Sequence, residues 1–282
     1  MRCSPRRSHR YAGGMTDSPA NGPTSGNASE TSGAANVPSN WFTGGAEYAT
    51  YRPEYPTQVS AFLAGLAPST GTAVDVGCGT GQLSTQLADN FDGVLAFDPS
   101  ESQIGAATAK PNVTYEVGRA ENLPVADGTV DLVTAAQSAH WFNLPEFYAE
   151  ARRIAAPGAL IALVSYGVLR IADAELQERF GRFYYDEIGP FWDPERRYVD
   201  EGYRTIDFPF EELDAPELSI DRDLDPEGFL GYIGTWSAVR KAEEAGRADL
   251  FQNFSADIVR IWGDNGRPRQ VSWPVTVRVG KL

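Results

Sequence analysis

The sequence predicts an α/β protein in which a mostly parallel sheet is covered by helices on both faces. Three observations carry that expectation. Short apolar strands alternate with helical stripes between residues 72 and 165. The first of those strands runs straight into a glycine-rich turn that opens a helix. The intervening helices are about ten residues long, the length of βαβ crossovers rather than hairpins.

The elements follow in order. Val59, Phe62, Leu63 and Leu66 fall at i, i+3, i+4 and i+7, one helical stripe. Residues 72–77 form a short apolar strand, followed by the glycine turn and a helix carrying Leu83 and Leu87. Residues 93–98 are the second strand. Ser100 then caps a helix with Gln103 three residues on, a capping box. Residues 112–117 and 130–135 read as the third and fourth strands. Asn143 and Pro145 open a helix whose stripe is Phe147, Ala151 and Ile154, closed by Pro157-Gly158. Residues 159–165 are the fifth strand. Past residue 168 the rhythm changes: residues 180–210 carry ten aromatic rings spaced too irregularly for one helix or strand. Helical segments are expected around 226–245 and 247–262. A final alternating strand is expected over 271–279, where Pro274 predicts an edge or bulge position.

Composition bounds the rest. At 282 residues the chain is one large domain or two small ones. No apolar run is long enough for a transmembrane helix. Two cysteines, Cys3 and Cys78, cannot build a disulfide framework, which makes a reducing, cytoplasmic setting the expectation. The formal charge is −14, yet residues 1–38 hold four arginines and only Asp17 and Glu30 as acids. The remainder therefore has 20 basic against 36 acidic residues, a body that repels nucleic acid and anionic lipid. Residues 1–38 are rich in Ser, Gly, Ala, Asn, Pro and Thr and read as a disordered extension. They lack the amphipathic pattern of a transit peptide and the apolar core of a secretory signal, and Met15 is an alternative start. Residues 39–282 are expected to form the folded domain.

The informative stretch is Val74-Asp75-Val76-Gly77-Cys78-Gly79-Thr80-Gly81. Its spacing is G-x-G-x-G, with Gln82 where a dinucleotide fingerprint needs its third glycine, and no lysine follows as a phosphate loop would require. The turn is suited to close backbone approach without pyrophosphate spacing, which weakens a nicotinamide-dependent reading. Asp98 ends the second strand, 19 residues past Gly79, where an acid can accept both hydroxyls of a ribose. Alternatively, Asp98-Pro99-Ser100 is simple turn chemistry.

These residues resemble motif I and the ribose-binding acid of class I S-adenosylmethionine-dependent methyltransferases. The likeness continues through Gly118-Arg119-Ala120-Glu121-Asn122-Leu123-Pro124, and through Val130-Asp131-Leu132-Val133 to Trp141-Phe142. Over roughly residues 41–170 it is similar to the small-molecule branch (methyltransferase type 11) that includes trans-aconitate-type enzymes. Tyr48-Ala-Thr-Tyr51-Arg52-Pro53-Glu54-Tyr55-Pro56 and Gln137-Ser-Ala-His140-Trp141-Phe142 also look like that branch. The resemblance implies a Rossmann-like, seven-stranded, mostly parallel sheet with helices on both faces. It also implies an antiparallel C-terminal strand and a cap over residues 168–215, after the fifth strand. It implies S-adenosyl-L-methionine as cofactor and methyl transfer to oxygen or nitrogen of a small molecule, possibly a carboxylate.

By the same resemblance Asp75, Gly77 and Gly79 would hold the methionine portion and Asp98 the ribose. Ala120 and Glu121 would flank the adenine, Gln137 would sit near the sulfonium, and Tyr51, Cys78, Pro99 and Gln103 would also line the cofactor site. Arg52 would meet the cofactor carboxylate, which a guanidinium grips bidentately, although Arg52 also reads as a surface residue at a Pro-bounded turn. His140 and Trp141 would face the transferred methyl. His140 can act as a general base or merely shape the pocket. The acceptor pocket would draw on Tyr48, Phe142, Tyr166, Trp192, Arg197, Tyr203 and Trp236. Residues 186–227 hold 15 acids against Arg196, Arg197, Arg204 and Arg222, which points to a neutral or cationic acceptor unless arginines turn inward. No cluster has metal-ligand spacing. A cofactor-binding regulator or assembly subunit without chemistry is the alternative function, and oligomeric state is not readable.

Overall fold

The computed structural model describes residues 51–263 and 266–282. The 1–38 extension and Tyr48 lie outside the described residues. The strands are β1 (Thr72–Val76), β2 (Gly93–Asp98), β3 (Val113–Val117), β4 (Val130–Ala136), β5 (Ala155–Tyr166), β6 (Arg170–Ile171), β7 (Glu211–Leu213), β8 (Leu218–Leu224) and β9 (Arg269–Lys281). The described helices are α1 (Gln58–Leu66), α2 (Gln82–Leu87), α3 (Glu101–Gly105), α4 (Leu144–Ile154), α5 (Ala174–Arg182), α6 (Arg196–Asp200), α7 (Pro226–Gly234), α8 (Ser237–Glu244) and α9 (Ala248–Trp262).

The strands form one sheet in which β3, β2, β1, β4 and β5 lie side by side in parallel, and β9 follows antiparallel to β5. Among the described residues there are nine strands where seven are expected. Val271 of β9 pairs with Ile171 of β6 on one edge and Arg222 of β8 on the other; Val279 pairs likewise with Ala162 of β5 and Leu213 of β7. β6 thus continues β5, while β7 and β8 share the far edge of β9. The sheet is seven positions wide, and two of those positions are each broken into two strands.

Pro274 sits at one of the breaks. Tyr166 pairs with Val275 but Arg170 with Ser272, so the β5–β6 side carries one extra residue, and the Gly167 N–H donates to the Pro274 carbonyl at 2.9 Å. The proline is at a bulge inside the sheet rather than on an edge strand, where its missing N–H costs the ladder least. Pro157-Gly158 lies inside β5 instead of closing α4. Gly158 adopts φ +82°, and the β4–β5 register shifts between Val130 and Leu132.

Side-chain alternation along the strands feeds two cores. On one face Ala73, Leu132, Leu160, Ala162, Val164 and the odd-numbered residues of β9 from Val271 to Val279 pack with α1, α2, α5, α7, α8 and α9. On the other, Val74, Val76, Val133, Ile161 and Leu163 meet Phe147, Ala151 and Ile154 of α4 and Val199 of α6. Complete burial of such side chains stabilises by about 1.5–3 kcal/mol each, and cover on both faces explains why β1, β4 and β5 read as continuous apolar runs. Many rings of 180–210 belong to the first core: Phe183 stacks on Phe254 at 4.0 Å, and Phe180 packs edge-on against Phe229 and Trp236.

Candidate functional site

β1 and β4 diverge in the connections they make, and the loops leaving their C-terminal ends cross one another there. The crossing is tight enough to dictate sequence. Gly77 has φ +69°, and a Cβ on it would lie 2.4 Å from Ser138 Cβ. Ser138 Oγ donates to the Val76 carbonyl at 2.8 Å, tying the two loops together. The amides of Gly77 and Cys78 both donate to the Phe97 carbonyl on β2. Gly81, at φ +91°, starts α2 where a Cβ would meet Tyr115 Oη at 2.1 Å. Gly79 differs: it has φ +57°, and the nearest atom to its Cβ position is Gln82 Oε1 at 3.6 Å, which leaves backbone facing open space.

That open space is a cavity of about 400 Å³ at the C-terminal edge of the sheet, within the range of small-molecule sites. It is the crevice where ligands collect in open α/β sheets. Its lining unites Gly77, Cys78 and Gly79, the β2 end (Asp98, Pro99) with Gln103 of α3, the β4 end (Gln137, Trp141, Phe142), and Arg52 with Tyr166. Asp75 also contributes. Sequence reasoning did not single out Pro53, Tyr55, Thr80, Gln82, Leu83, Ala136 and Ser138, which complete the wall. Tyr55 and Ser138 lie within stretches that stood out for other residues.

Asp98 accepts hydrogen bonds from the Gly79 amide at 3.0 Å and the Ser100 amide at 2.9 Å. Its carboxylate is thereby fixed at the rim of the glycine turn. Ser100 Oγ in turn accepts from the Gln103 amide, the cap expected of α3. Asp75 is 1% exposed, and its two oxygens accept from Ser84 at 2.6 Å and Thr134 at 2.9 Å. Burial raises its pKa to about 6 against those hydrogen bonds. It braces β1 against α2 and β4 from within the cavity wall. Burial also pushes the Cys78 thiol well up, with the carboxylates of Asp75 and Asp98 adding to the shift, and a protonated thiol is a poor nucleophile.

Gln137 adopts φ +54°, an uncommon conformation for a non-glycine residue. Its Nε2 donates to the Tyr166 carbonyl at 2.9 Å, which holds the end of β4 to the end of β5. Arg52 reaches the same place, with NH1 donating to Tyr166 Oη at 3.4 Å and NH2 to the Thr235 carbonyl at 3.3 Å. Trp141 is 59% exposed, beside the cavity it lines.

The remaining expected residues lie around this centre without lining the cavity. Ala120 is buried in the second core, and Glu121 accepts from the Asn143 amide at 3.1 Å. Tyr51 lies across α7, where a Cβ on Gly231 would come within 2.5 Å of its ring. Trp192 and Trp236 pack at 5.3 Å. His140 Nδ1 shares a 2.8 Å hydrogen bond with Tyr203 Oη. Burial, then the Arg196 charge, lowers the His140 pKa to about 4, so the ring is neutral at pH 7.

Arg197 requires correction: it faces solvent and stacks on its neighbour Tyr198. Arg196 is the arginine that turns inward. Its Nε donates to Tyr184 Oη and Asp200 at 3.0 Å each, and its guanidinium lies 4.8 Å from the Trp192 ring centre. A five-residue helix carries no periodicity from which that phase could be read.

Comparisons with known proteins agree with this geometry. Residues 74–163 match the family described as a methyltransferase domain. A protein of Dictyostelium discoideum named as a methyltransferase is 32% identical over 241 residues, covering 83% of this chain and 91% of its own length. An uncharacterized methyltransferase of Mycobacterium bovis is 28% identical over 193 residues, 67% of this chain and 73% of that one. A solved structure from Anaeromyxobacter dehalogenans, titled as a type II methyltransferase, superposes with a TM-score of 0.76 at 44% identity, covering 82% of this chain and 97% of that one. With likeness of that extent over nearly the full length of its relatives, and a glycine turn, acid and cavity that suit the cofactor, this chain belongs to the class I S-adenosylmethionine-dependent methyltransferases.

Proposed function

We propose that the chain methylates a small-molecule acceptor at oxygen or nitrogen by in-line displacement, within a pocket roofed by residues 168–215. The observation that carries this reading is the cavity itself. Cofactor-side walls (Gly77, Gly79, Asp98) and acceptor-side rings (Tyr55, Trp141, Phe142, Tyr166) line one cleft of small-molecule size that is open to solvent on one side. S-adenosylmethionine, when bound, supplies a methyl group already activated on a sulfonium. The chain's own work is then alignment and the exclusion of water.

Gly79 presents backbone to the ligand, and Asp98 is placed to accept ribose hydroxyls. Arg52 and Gln137, both tied to Tyr166, are proposed to fix the methionine end. Trp141 and Phe142 flank the side from which the acceptor enters. Trp192 and Trp236, with Arg196 in place of Arg197, are the proposed cap contacts, and the buried Tyr203 stands behind them on His140.

The test is calorimetry with S-adenosylmethionine, followed by incubation of the protein with methyl-labelled cofactor and a metabolite extract. Labelled small-molecule product together with S-adenosylhomocysteine is the expected result. Cofactor binding with label only on macromolecules would overturn the small-molecule reading. Binding with no S-adenosylhomocysteine from any acceptor would favour a regulator or assembly subunit.

A further inference from the structure

The hydrogen bond between His140 and Tyr203 has a direction, and the direction decides what His140 can do. Tyr203 is wholly buried, and its hydroxyl meets His140 twice, at Nδ1 and at the backbone N–H, of which the backbone group can only donate. A phenol carries one proton, and a buried O–H left without an acceptor is costly. The charged group that bears on Tyr203 is the Arg196 guanidinium, which can only donate. The phenol proton therefore goes to Nδ1.

We propose that Tyr203 is a positioning residue that locks His140 as the neutral Nε2–H tautomer. His140 then presents a hydrogen-bond donor to the acceptor rather than a base. The inference rests on the proposed reading that the acceptor enters beside Trp141, the chain neighbour of His140; His140 itself stands next to the cavity wall rather than in it.

The backbone around Tyr203 supports the assignment. Gly202 and Tyr203 have φ +59° and +56°, and a Cβ on Gly202 would press to 2.8 Å from Thr276 Oγ1 of β9. A left-handed tyrosine persists only where its surroundings hold it. Here Arg278 of β9 donates to the carbonyls of Tyr203 and Ile206 at 2.9 and 2.8 Å, while Glu212 of β7 grips the same guanidinium through both oxygens. The phenol is thus anchored from the sheet. Burial pushes the Tyr203 phenol up and the His140 imidazole down, so both groups are neutral at pH 7. His140 Nε2 makes no hydrogen bond to any described residue.

The Arg196 charge is met by Asp200, so the donor N–H is the feature that bears on the acceptor: it suits a group that accepts hydrogen bonds, such as a carboxylate oxygen. It does not suit an ammonium group, which needs a lone pair nearby to take its proton. Tyr203 and His140 therefore select the substrate class as well as the tautomer.

The test is nitrogen-15 NMR of the full chain loaded with S-adenosylhomocysteine at pH 7. The chain has two histidines, and His140→Gln identifies the His140 signals. The expected spectrum has a pyridine-type Nδ1 and a pyrrole-type Nε2, with Tyr203→Phe shifting Nδ1. Titration with sodium propionate is expected to shift the Nε2–H signal saturably, and propylammonium chloride is expected to leave it in place. A pyrrole-type Nδ1 in the parent protein would overturn the tautomer. A shift with propylammonium, or none with propionate, would overturn the acceptor class. Calorimetry showing no cofactor binding in the same sample would instead count against the underlying site reading, whatever the tautomer.

Discussion

Asp75 is the residue whose environment makes the sharpest solution prediction. It lines the cavity, and its two oxygens accept from Ser84 and Thr134. With a folded pKa near 6 against an unfolded value of 3.8, the folded state holds its proton more tightly than the unfolded chain. The stability this contributes is present in full below the unfolded value and is lost as pH rises through about 6. Asp75→Asn keeps the shape and removes the titration. Relative to the parent, the variant is expected to gain on the order of 1 kcal/mol of unfolding free energy between pH 5 and pH 7.5, from one pKa unit being about 1.4 kcal/mol. Urea unfolding of both proteins at the two pH values measures it. A difference that stays constant or shrinks would show that Asp75 is ionised across that range. Carboxylates paired with arginine, such as Glu212 and Asp257, have lowered values and titrate below this window, and they are common to both proteins.

At the scale of elements, the crossing of the β1 and β4 loops is the joint on which the site depends. Gly77→Ala forces a side chain into a left-handed backbone, which costs about 1–2 kcal/mol, and drives its Cβ into Ser138. The expected outcome is a loss of more than that amount in urea unfolding, with S-adenosylhomocysteine affinity reduced at least tenfold. Ser138→Gly in the same chain should recover the steric part and leave the backbone part, so the two changes are non-additive. Full additivity would mean that the loops do not bear on each other.

The same joint shows what was legible beforehand. A glycine turn between strand and helix, and an acid closing the next strand, are local patterns, and the chain writes them within 25 residues. The strands β6 and β7, two and three residues long, are too short for alternation to register. Their pairing partners come from β9, about 100 and 70 residues away. The His140–Tyr203 contact spans 63 residues and the Arg278–Tyr203 clamp 75. Neither has a local signature, because tertiary packing alone creates them. Arg196 was missed for Arg197 for the same reason: one residue of phase in α6 exchanges solvent for interior.

For the whole molecule, the cavity is where the two halves of the sequence meet. Its walls run from Arg52 to Tyr166, and the C-terminal half supports them indirectly. Thr235 at the end of α7 holds Arg52, Gly231 makes room for Tyr51, and Trp273 of β9 donates to Tyr232 Oη at 3.1 Å, with Tyr232 packed edge-on against Trp236. A ligand in this cavity binds the folded arrangement of both halves and not the unfolded chain, so it should raise the melting temperature of the entire domain. At a concentration 100 times its dissociation constant the stabilisation is about 2.7 kcal/mol, or roughly 5–10 °C for a domain of this size. Differential scanning calorimetry with S-adenosylhomocysteine is expected to show one transition moving upward by that amount. Asp98→Asn is expected to lose most of the shift, since it removes the charge facing the cavity but keeps an acceptor for the Gly79 amide. If the first transition stayed in place while a second moved, the halves would be energetically separate, and the supports from α7 and β9 would have no bearing on cofactor affinity.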